Sequence, residues 1–402
     1  MSGPVRATRA STRAAVLDLV RAAGTISRVG LVNASGLTGG TISTVVRGLI
    51  DEGLVAETGH AESTGGKRRV MLQLNHFARY AIGVHLDDAR ITYVLTNLGG
   101  AVVARISRAG AAREEPAAVV ARMAREVDAL IDSAGVERGR ILGLGLVSAR
   151  PARFGPELER ATGLPVVLDN DATAAAIGEH WSGGVGVTAT FAALYMGSEI
   201  GAGVLLGGTT HRGPSGHAGA IGHACLDVDG PPCPCGGRGC LEVLAGPAAV
   251  VAAARRDRAL SRAAGLTGAR TRPRAPVAAD FAAISRAARQ GDARALALLE
   301  RSARYVAAAA RTLANALDLE ALVLTGPSFA IAGSVYLPVL REELDRAFAA
   351  HPVAVRLSPS AASAAAIGAA AIVLQSELVP RHQGVRLPDD LAADEPPVFQ
   401  PA

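Results

Sequence analysis

The sequence predicts an α/β protein with a separate, mainly helical unit at its N-terminus. A length of 402 residues suits two or three domains of roughly 100–200 residues, and 49% hydrophobic residues are enough to bury a substantial interior. Helical periodicity dominates the first 76 residues, whereas strand-like and helical segments alternate from Tyr80 onward, a pattern typical of layered α/β folds. Aromatic residues are only 3%, so we expect the interior to consist of Ala, Val, Leu and Ile.

Three helices and a hairpin are predicted for the N-terminal unit. The third helix has an apolar face at helical spacing, formed by Ile42, Val45, Val46, Leu49 and Ile50. The predicted helices end near Gly24, run from about Ser27 to Ala34, and lie between Thr38 and Gly53. Strand-like runs at Leu54–Glu57 and Val70–Leu74 then enclose a polar segment with a basic end. This order of elements predicts a winged helix-turn-helix DNA-binding domain over residues 1–76.

Charge supports this interpretation, because the first 76 residues carry a net +4 and all the others about +1. Small hydroxylated side chains and one arginine suit close approach to the major groove, and basic wing residues suit phosphates or the minor groove. A small helical domain with an ordinary solvated face would show the same pattern. The candidate DNA-binding residues are Thr38, Gly39, Gly40, Thr41, Ser43, Thr44 and Arg47 on the third helix, and Lys67, Arg68 and Arg69 in the wing.

Strands and helices alternate in the remainder of the chain. The predicted strands are Ala81–His85, Ile91–Leu95, Val102–Ile106, Ile141–Val147, Pro165–Leu168, Phe191–Met196, Gly203–Leu206 and Ala321–Leu324. The predicted helices are Pro116–Ala134, Ala172–Trp181, 246–264, 278–289, 292–318, 336–349 and Ala361–Leu374. Residues 380–402 are rich in proline and acidic residues, which predicts a disordered tail.

Composition also argues against several protein classes. Four cysteines in a chain of this length do not make a disulfide scaffold. No apolar segment follows the first arginines, so we expect no signal peptide. The apolar run Ala361–Leu374 is shorter than the roughly 18–20 residues that span a bilayer. We therefore expect a cytoplasmic protein with no membrane partner.

A cluster of cysteines and one histidine has the composition of a zinc site. Three cysteines lie in the run Cys233-Pro-Cys-Gly-Gly-Arg-Gly-Cys240, and His223 lies ten residues upstream of its start. Three thiolates and one imidazole fit a tetrahedral zinc ion, and four protein ligands leave no open position, so the predicted role is structural. A disulfide is the alternative, disfavoured in a cytosolic protein. The predicted ligands are His223, Cys233, Cys235 and Cys240, with Cys225 buried or a bystander.

The same segment carries a family resemblance. Gly222-His223 and the run from Cys233 to Glu242 closely resemble the signature of the ROK family (repressors, open reading frames and sugar kinases), and the similarity extends from Tyr80 to Leu374. With its N-terminal winged helix, the chain is similar to the transcriptional-regulator branch, which includes xylose and N-acetylglucosamine repressors. The resemblance implies a dimer or tetramer. It also implies a two-lobed, actin-like domain over 80–375, with a small lobe of about 80–165 plus 361–375 and a large lobe of about 166–360.

The resemblance further implies four effector-binding positions. Asn170 and Asp171 match the sugar-binding asparagine and the general-base aspartate of the family's kinases. Glu242 matches a second sugar-contacting acid, and His223 in the family both ligates zinc and contacts the sugar. From the residues alone, Asp171 could equally cap the helix that follows it, and both roles are compatible.

Several departures from the family pattern weaken the case for sugar binding and catalysis. Ala220 stands where members typically have a sugar-binding glutamate, and 150–164 is shorter than the usual loop over the sugar. The kinase phosphate loop Asp-x-Gly-Gly-Thr is replaced by the run from His85 to Arg90, which has no glycine to bring backbone N–H groups near an anion. The remaining departures are two acids in that run (Asp87 and Asp88), Glu199 in the second phosphate segment, and Thr325-Gly-Pro near the adenosine position.

These observations predict a DNA-binding transcriptional regulator, a repressor of carbohydrate-related genes, with a degenerate, non-catalytic effector domain. A homodimer or homotetramer would place two recognition helices on successive major-groove faces, so the predicted partner is double-stranded DNA with an inverted-repeat operator. A sugar or phosphosugar effector would change the spacing of the winged helices and lower DNA affinity. The alternatives are an ATP-dependent sugar kinase with Asp171 as base, and a zinc-stabilised scaffold whose winged helix docks protein.

Overall fold

The computed structural model describes most of the chain. The described residues are 9–60, 69–87, 89–110, 114–149, 154–182, 185–186, 189–266 and 276–378. Within them, three β-sheets organise the fold. Four predictions fall wholly or partly on residues outside these ranges, namely Lys67 and Arg68 of the wing, Asp88, the segment 150–153 and the tail 380–402.

The N-terminal unit has the predicted helices and one additional strand. Ser27 N-caps the second helix by accepting a hydrogen bond from the Gly30 amide, and Thr38 N-caps the third by accepting one from the Thr41 amide. The strand Thr25–Ser27 was not predicted, because three residues are too few to show an alternating pattern. Its elements are α1 (Arg9–Ala23), β1 (Thr25–Ser27), α2 (Arg28–Ser35), α3 (Gly39–Asp51), β2 (Val55–His60) and β3 (Val70–Leu74), with sheet order β1-β3-β2.

The first five-stranded sheet follows directly. Its elements are β4 (Tyr80–Leu86), β5 (Arg90–Asn97), β6 (Val102–Ala109), α4 (Pro116–Ala134), β7 (Ile141–Ser148), α5 (Gly155–Thr162) and β8 (Val166–Asn170). The strand order is β6-β5-β4-β7-β8, and β4, β7 and β8 run parallel. The strand Val166–Asn170 therefore lies in the first sheet, whereas the sequence assigned 166 onward to the second lobe.

The second five-stranded sheet has the order β11-β10-β9-β12-β13. Helix 246–264 was predicted as continuous, but it breaks at Asp257, which caps its second part. The helix expected from 336 begins earlier, at Pro327, because proline is well tolerated in a first helical turn. The second sheet and the helices around it comprise α6 (Asp171–Trp181), β9 (Phe191–Met196), β10 (Ile200–Leu206), β11 (Thr209–His211), α7 (Leu241–Ala245), α8 (Pro247–Arg256), α9 (Arg258–Ala263), α10 (Val277–Arg289), α11 (Ala293–Leu317), β12 (Ala321–Thr325), α12 (Pro327–Ala347) and β13 (Ala354–Leu357).

Two buried helices lie between the sheets. The last helix, α13 (Ala364–Leu378), packs on β4 and β7 of the first sheet, and α6 packs on β9 and β10 of the second. The two helices also pack against each other. The approach of α13 to β4 requires glycine at position 83, because a Cβ there would overlap the carbonyl oxygen of Ala366. This arrangement makes two α/β lobes, and it places the start of α6 between them.

Membrane-spanning potential is confined to one bent pair of helices in the described part of the chain. The pair α2 and α3 meets the length and composition of a span only when the two helices are taken together, across a 119° bend, and no single described helix meets both requirements.

Candidate functional site

The exposed face of α3 carries the predicted recognition residues. Ile42, Val46 and Leu49 are buried on its inner face, which leaves Ser43, Thr44 and Arg47 on the outer one. Gly39 and Gly40 are exposed at its N-terminal end, next to the capping residue Thr38. Helix α3 therefore presents an exposed face of small side chains and one arginine, a composition that suits close approach to a major groove.

Local hydrogen bonds hold two of the hydroxyl groups on α3. The Thr44 hydroxyl donates to the carbonyl oxygen of Gly40 over 3.0 Å, and the hydroxyls of Thr38 and Thr41 lie 2.9 Å apart. Arg47 is exposed, and no other described residue forms a hydrogen bond or ion pair with it. Its guanidinium is therefore available to a partner.

Other arginines of this unit are already paired. Arg13 forms an ion pair with Glu52, and Arg28 forms one with Glu57 at 2.8 Å. Arg69, the only predicted wing residue within the described ranges, is exposed. Among the described arginines, Arg47 and Arg69 therefore offer exposed positive charge to a polyanion.

The four predicted metal ligands come together. Their ligand atoms all lie within 4.8 Å of one another. The Sγ atoms of Cys235 and Cys240 are 3.7 Å apart, and Sγ of Cys233 lies 3.6 Å from Nδ1 of His223. Tetrahedral coordination with metal–sulfur bonds of about 2.3 Å requires sulfur–sulfur separations of about 3.8 Å, so the geometry fits one small tetrahedral ion.

A tight hairpin positions these ligands. Pro232 and Arg238 face each other across it, and the amide of Cys233 donates to the carbonyl oxygen of Gly237 over 2.8 Å. Gly239 has a positive φ of 56°, and a Cβ there would overlap the carbonyl oxygen of Asp227. Cys225 is exposed and lies outside the four-residue cluster, so it is a bystander rather than buried.

The start of α6 forms the second candidate site. Asn170 N-caps the helix, since its side-chain oxygen accepts from the amides of Ala172 and Thr173 at 2.9 and 3.1 Å. By sequence alone, Asp171 could cap this helix. In the structure Asn170 is the cap, and Asp171 is the first residue of the helix. Its Oδ1 accepts from the Ala172 amide at 2.8 Å, and the residue is buried.

Asp171 lies close to a buried histidine and a buried tyrosine. Burial raises the pKa of Asp171 to about 7, helped by the negative charges of Asp87 and Glu199. Its Oδ2 lies 3.9 Å from Nε2 of His85. Burial lowers the pKa of His85, so the imidazole is neutral and this contact is not an ion pair. The same nitrogen lies 3.3 Å from the hydroxyl of Tyr195, whose pKa burial raises well above its ordinary value.

Glu242 lies at the start of α7. Its Oε2 accepts a hydrogen bond from the amide of Ile200 at 2.7 Å. Burial raises the pKa of Glu242 to about 7, and the negative charge of Glu199 acts in the same direction. Glu199 thus influences both Asp171 and Glu242, which places the two predicted effector positions around one acidic cleft.

Sequence reasoning missed two contacts that join the lobes. Tyr195 is an ordinary buried strand residue by pattern, yet it hydrogen-bonds to His85 on the other sheet. Arg212 donates to Oδ1 of Asp169 at 2.6 Å, linking the segment after β11 to the end of β8. No local sequence signal identifies such pairs, because their partners lie more than 40 residues apart.

At the phosphate-loop position, the two described amides of the turn are engaged within the turn itself. The amide of Ala89 donates to Oδ1 of Asp87 at 2.8 Å, and the Asp87 amide donates to the carbonyl oxygen of Arg90. A phosphate would need those N–H groups and would face the Asp87 carboxylate. Ala220, where the family's glutamate is expected, is exposed and offers only a methyl group.

Comparisons with known proteins agree with this architecture. The ROK family model matches residues 145–376. A xylose repressor of Caldicellulosiruptor bescii is 29% identical over 56% of this chain and 61% of its own length, and a glucokinase of Halalkalibacterium halodurans is 26% identical over 74% of this chain and 96% of its own. A crystal structure of a ROK family transcriptional regulator, a homologue of the E. coli MLC protein, superimposes with a TM-score of 0.67 at 24% identity, covering 92% of this chain and 97% of that one. The chain spans about three fifths of the length of the curated xylose repressors it matches.

Proposed function

The chain belongs to the ROK family, and from that premise we propose that it is a DNA-binding transcriptional repressor with a carbohydrate-responsive effector domain. The observation that carries the proposal is the α3 face, where Arg47 is exposed and unpaired among the described residues beside a row of small side chains. Such a face suits a major groove. The similarity to a curated xylose repressor supports the same function.

The domain division is part of this proposal. Residues 1–76 would bind DNA, and residues 80–375 would bind the effector and form the oligomer. A homodimer or homotetramer would present two α3 helices to successive major-groove faces, so the operator is an inverted repeat. In a dimer, binding of the effector would change the separation of the two α3 helices. A changed separation in turn changes the affinity for DNA.

We propose that the ligand cluster holds a structural zinc ion. The ligands are His223, Cys233, Cys235 and Cys240, whose mutual distances match a tetrahedral ion. Bound zinc would fix the hairpin before α7, and so position Glu242 at the cleft. Because all four positions are protein ligands, the ion takes no part in chemistry.

The effector we propose is a neutral carbohydrate bound weakly. Asn170 and Asp171 offer hydrogen-bonding groups at the start of α6, and we expect His223 and Glu242 to contribute from the segment that leads into α7. The acids Asp87, Asp171 and Glu199 disfavour a phosphosugar. Because Ala220 stands where the family has a sugar-binding glutamate, one carboxylate is missing from the site. Isothermal titration should therefore show weak hexose binding, with a dissociation constant well above the micromolar range.

Catalysis is not part of the proposed function, although glucokinases are relatives of this chain. Two features support its absence. The Ala89 amide is engaged by Asp87, and Glu199 adds negative charge at the second phosphate segment. Both oppose binding of a triphosphate, so Asp171 occupies a degenerate base position.

Selection of DNA fragments by the purified full-length chain tests the proposal. We expect enrichment of an inverted repeat from a random-sequence pool. Because Lys67 is the only lysine in the chain, amine-selective acetylation of that side chain reports the wing directly. The selected duplex should slow acetylation of Lys67 in the wild type, and it should slow that acetylation less in the Arg47→Ala variant. Absence of enrichment, together with no retention of DNA at low salt, would instead favour a protein-docking role.

A further inference from the structure

One buried helix extends from the cleft to the N-terminal unit. Helix α6 begins at Asp171 in the cleft and ends at Trp181, and every residue between them is buried. It packs against α13 on one side and against β9 and β10 on the other. A helix held on both sides moves as a unit, so a displacement at its first residue reaches its last.

The end of α6 is attached to α1. The guanidinium of Arg21 lies over the Trp181 ring, 4.4 Å from the ring centroid, and its Nη1 donates to the carbonyl oxygen of Trp181 at 2.7 Å. Its Nε donates to Asp18 at 2.9 Å. The side chains of Arg21 and Asp18 are only 7% and 17% exposed. Arg21 therefore contacts the ring and the backbone of Trp181 from a desolvated position.

The Trp181 ring is itself fixed. Its Nε1 donates to the carbonyl oxygen of Leu98 at 3.3 Å, and the ring lies against Gly100. The buried apolar residues of the N-terminal unit form one continuous cluster with Trp181 and α13. With the ring held from two sides, movement of α6 either carries Arg21 with it or breaks this contact.

We propose that α6 couples the cleft to the DNA-binding unit, and that Arg21 and Trp181 form the joint. This inference rests on the proposed function in one respect only, that the N-terminal unit binds DNA. A change at Asp171 shifts α6, and the Arg21 contact transmits that shift to α1. Arg21 and Trp181 are positioning residues, since neither touches DNA or effector in this scheme.

Hydrogen exchange in the full-length protein without DNA or ligand tests the coupling. Asp171→Asn serves as the probe in the cleft, and the readout is the exchange rate of the α1 amides. At pH 8, where Asp171→Asn replaces an ionised carboxylate, we expect the substitution to change these rates about fivefold or more, the lower end of ordinary allosteric coupling. In an Arg21→Ala background the same substitution should have less than about a twofold effect.

Arg13→Ala is the matched control, because Arg13 lies on the same helix and pairs with Glu52 inside the N-terminal unit. It should retain the full effect of Asp171→Asn. Arg21→Lys, which keeps the charge but loses the planar contact, covers the case in which Arg21→Ala fails to fold, and it should give a reduced effect. Two results would overturn the proposal. One is that Asp171→Asn changes α1 exchange equally with wild-type Arg21 and in the Arg21→Ala or Arg21→Lys variant. The other is that Asp171→Asn has no effect on α1 exchange in the protein with wild-type Arg21.

A second measurement connects the joint to DNA. Trp181 is the only tryptophan, so tryptophan emission reports the surroundings of this one ring, the Arg21 contact among them. The selected duplex should change that emission in the wild type but not in Arg21→Ala, with binding followed by anisotropy of the labelled duplex. If no variant binds DNA, the proposed function fails, while the exchange experiment still decides the coupling. An equal emission change in both proteins would contradict the joint.

Discussion

The hydroxyl of Tyr195 lies 3.3 Å from Nε2 of His85, and this hydrogen bond joins β9 of the second sheet to β4 of the first. Burial raises the pKa of Tyr195 and lowers that of His85, so the phenol donates and the neutral imidazole accepts. The bond lies beside Asp171 at the start of α6. It is therefore a direct link between the two lobes within the cleft.

Removing this bond should destabilise the protein. Tyr195→Phe leaves a buried imidazole nitrogen without its donor, which we expect to lower the free energy of unfolding by about 1–3 kcal/mol. Chemical denaturation measures the change. Tyr93→Phe is the control, because the Tyr93 hydroxyl is buried without a hydrogen-bond partner among the described residues and its loss should be near neutral. Equal effects of the two substitutions would show that the bond to His85 contributes nothing.

Asp171 should make stability depend on pH. Its pKa rises from an ordinary 3.8 to about 7 on folding, chiefly through burial, so the folded state holds the proton more tightly. That contribution is present at low pH and is lost as the pH rises from about 4 to about 7. The groups facing this carboxyl are His85, whose pKa burial lowers, and the acids Asp87 and Glu199.

Asp171→Asn should consequently raise stability at alkaline pH. The amide resembles the protonated acid, so we expect a gain of less than about 2 kcal/mol at pH 5, where only the unfolded carboxyl is ionised, and of up to about 4 kcal/mol at pH 8, at 1.36 kcal/mol for each pKa unit. Thermal unfolding at both pH values checks this. A gain of the same size at pH 5 and pH 8 would mean that the carboxyl does not titrate in this range.

Zinc removal should unfold the hairpin that carries its ligands. Cys233→Ser should abolish stoichiometric zinc, measured by native mass spectrometry, and lower the melting temperature. Gly239→Ala should do the same without removing a ligand, because a Cβ there would overlap the Asp227 carbonyl oxygen. Cys225→Ser is the control and should retain the ion. Full zinc occupancy in Cys233→Ser would contradict the assigned ligand set.

Arg47 and Lys67 should affect DNA binding differently. Arg47→Ala should weaken binding to the selected duplex by about 1–3 kcal/mol and leave scrambled DNA unaffected, as expected for a base contact. Lys67→Ala should weaken both equally and reduce the salt dependence. Arg160→Ala removes a charge that is 75% exposed on α5 and should change neither. Unchanged affinity in both the Arg47 and Lys67 variants would remove the DNA-binding assignment.

Phosphoryl transfer from ATP to sugars should be absent. A coupled assay with a hexose panel should give the same background for the wild type and for Asp171→Ala, because the described amides of this turn, those of Asp87 and Ala89, are already engaged within it. Turnover by the wild type that is lost in Asp171→Ala would establish a kinase instead.

Local features of this protein could be predicted from the sequence because neighbouring residues determine them. Ser27 and Thr38 cap helices whose first turns lie next to them in the chain. The spacing from Cys233 to Cys240 brings three thiols onto one hairpin, and His223 is only ten residues away. The family signature lies in the same short segment. For these features, chain connectivity leaves few alternative arrangements.

Other features depend on contacts between distant parts of the chain. The placement of β8 in the first sheet follows from its pairing with β7, and the pKa of Asp171 depends on burial between two lobes. Arg21 and Trp181 are 160 residues apart, so no periodicity or spacing relates them. Sequence pattern determines which residues are buried and which helices form, whereas only packing decides which buried surfaces meet. The helices of the N-terminal unit, the cluster of one histidine and three cysteines, and the family could therefore be predicted from the sequence. The contacts between the lobes and the contact of Arg21 with Trp181 are visible only in the tertiary structure.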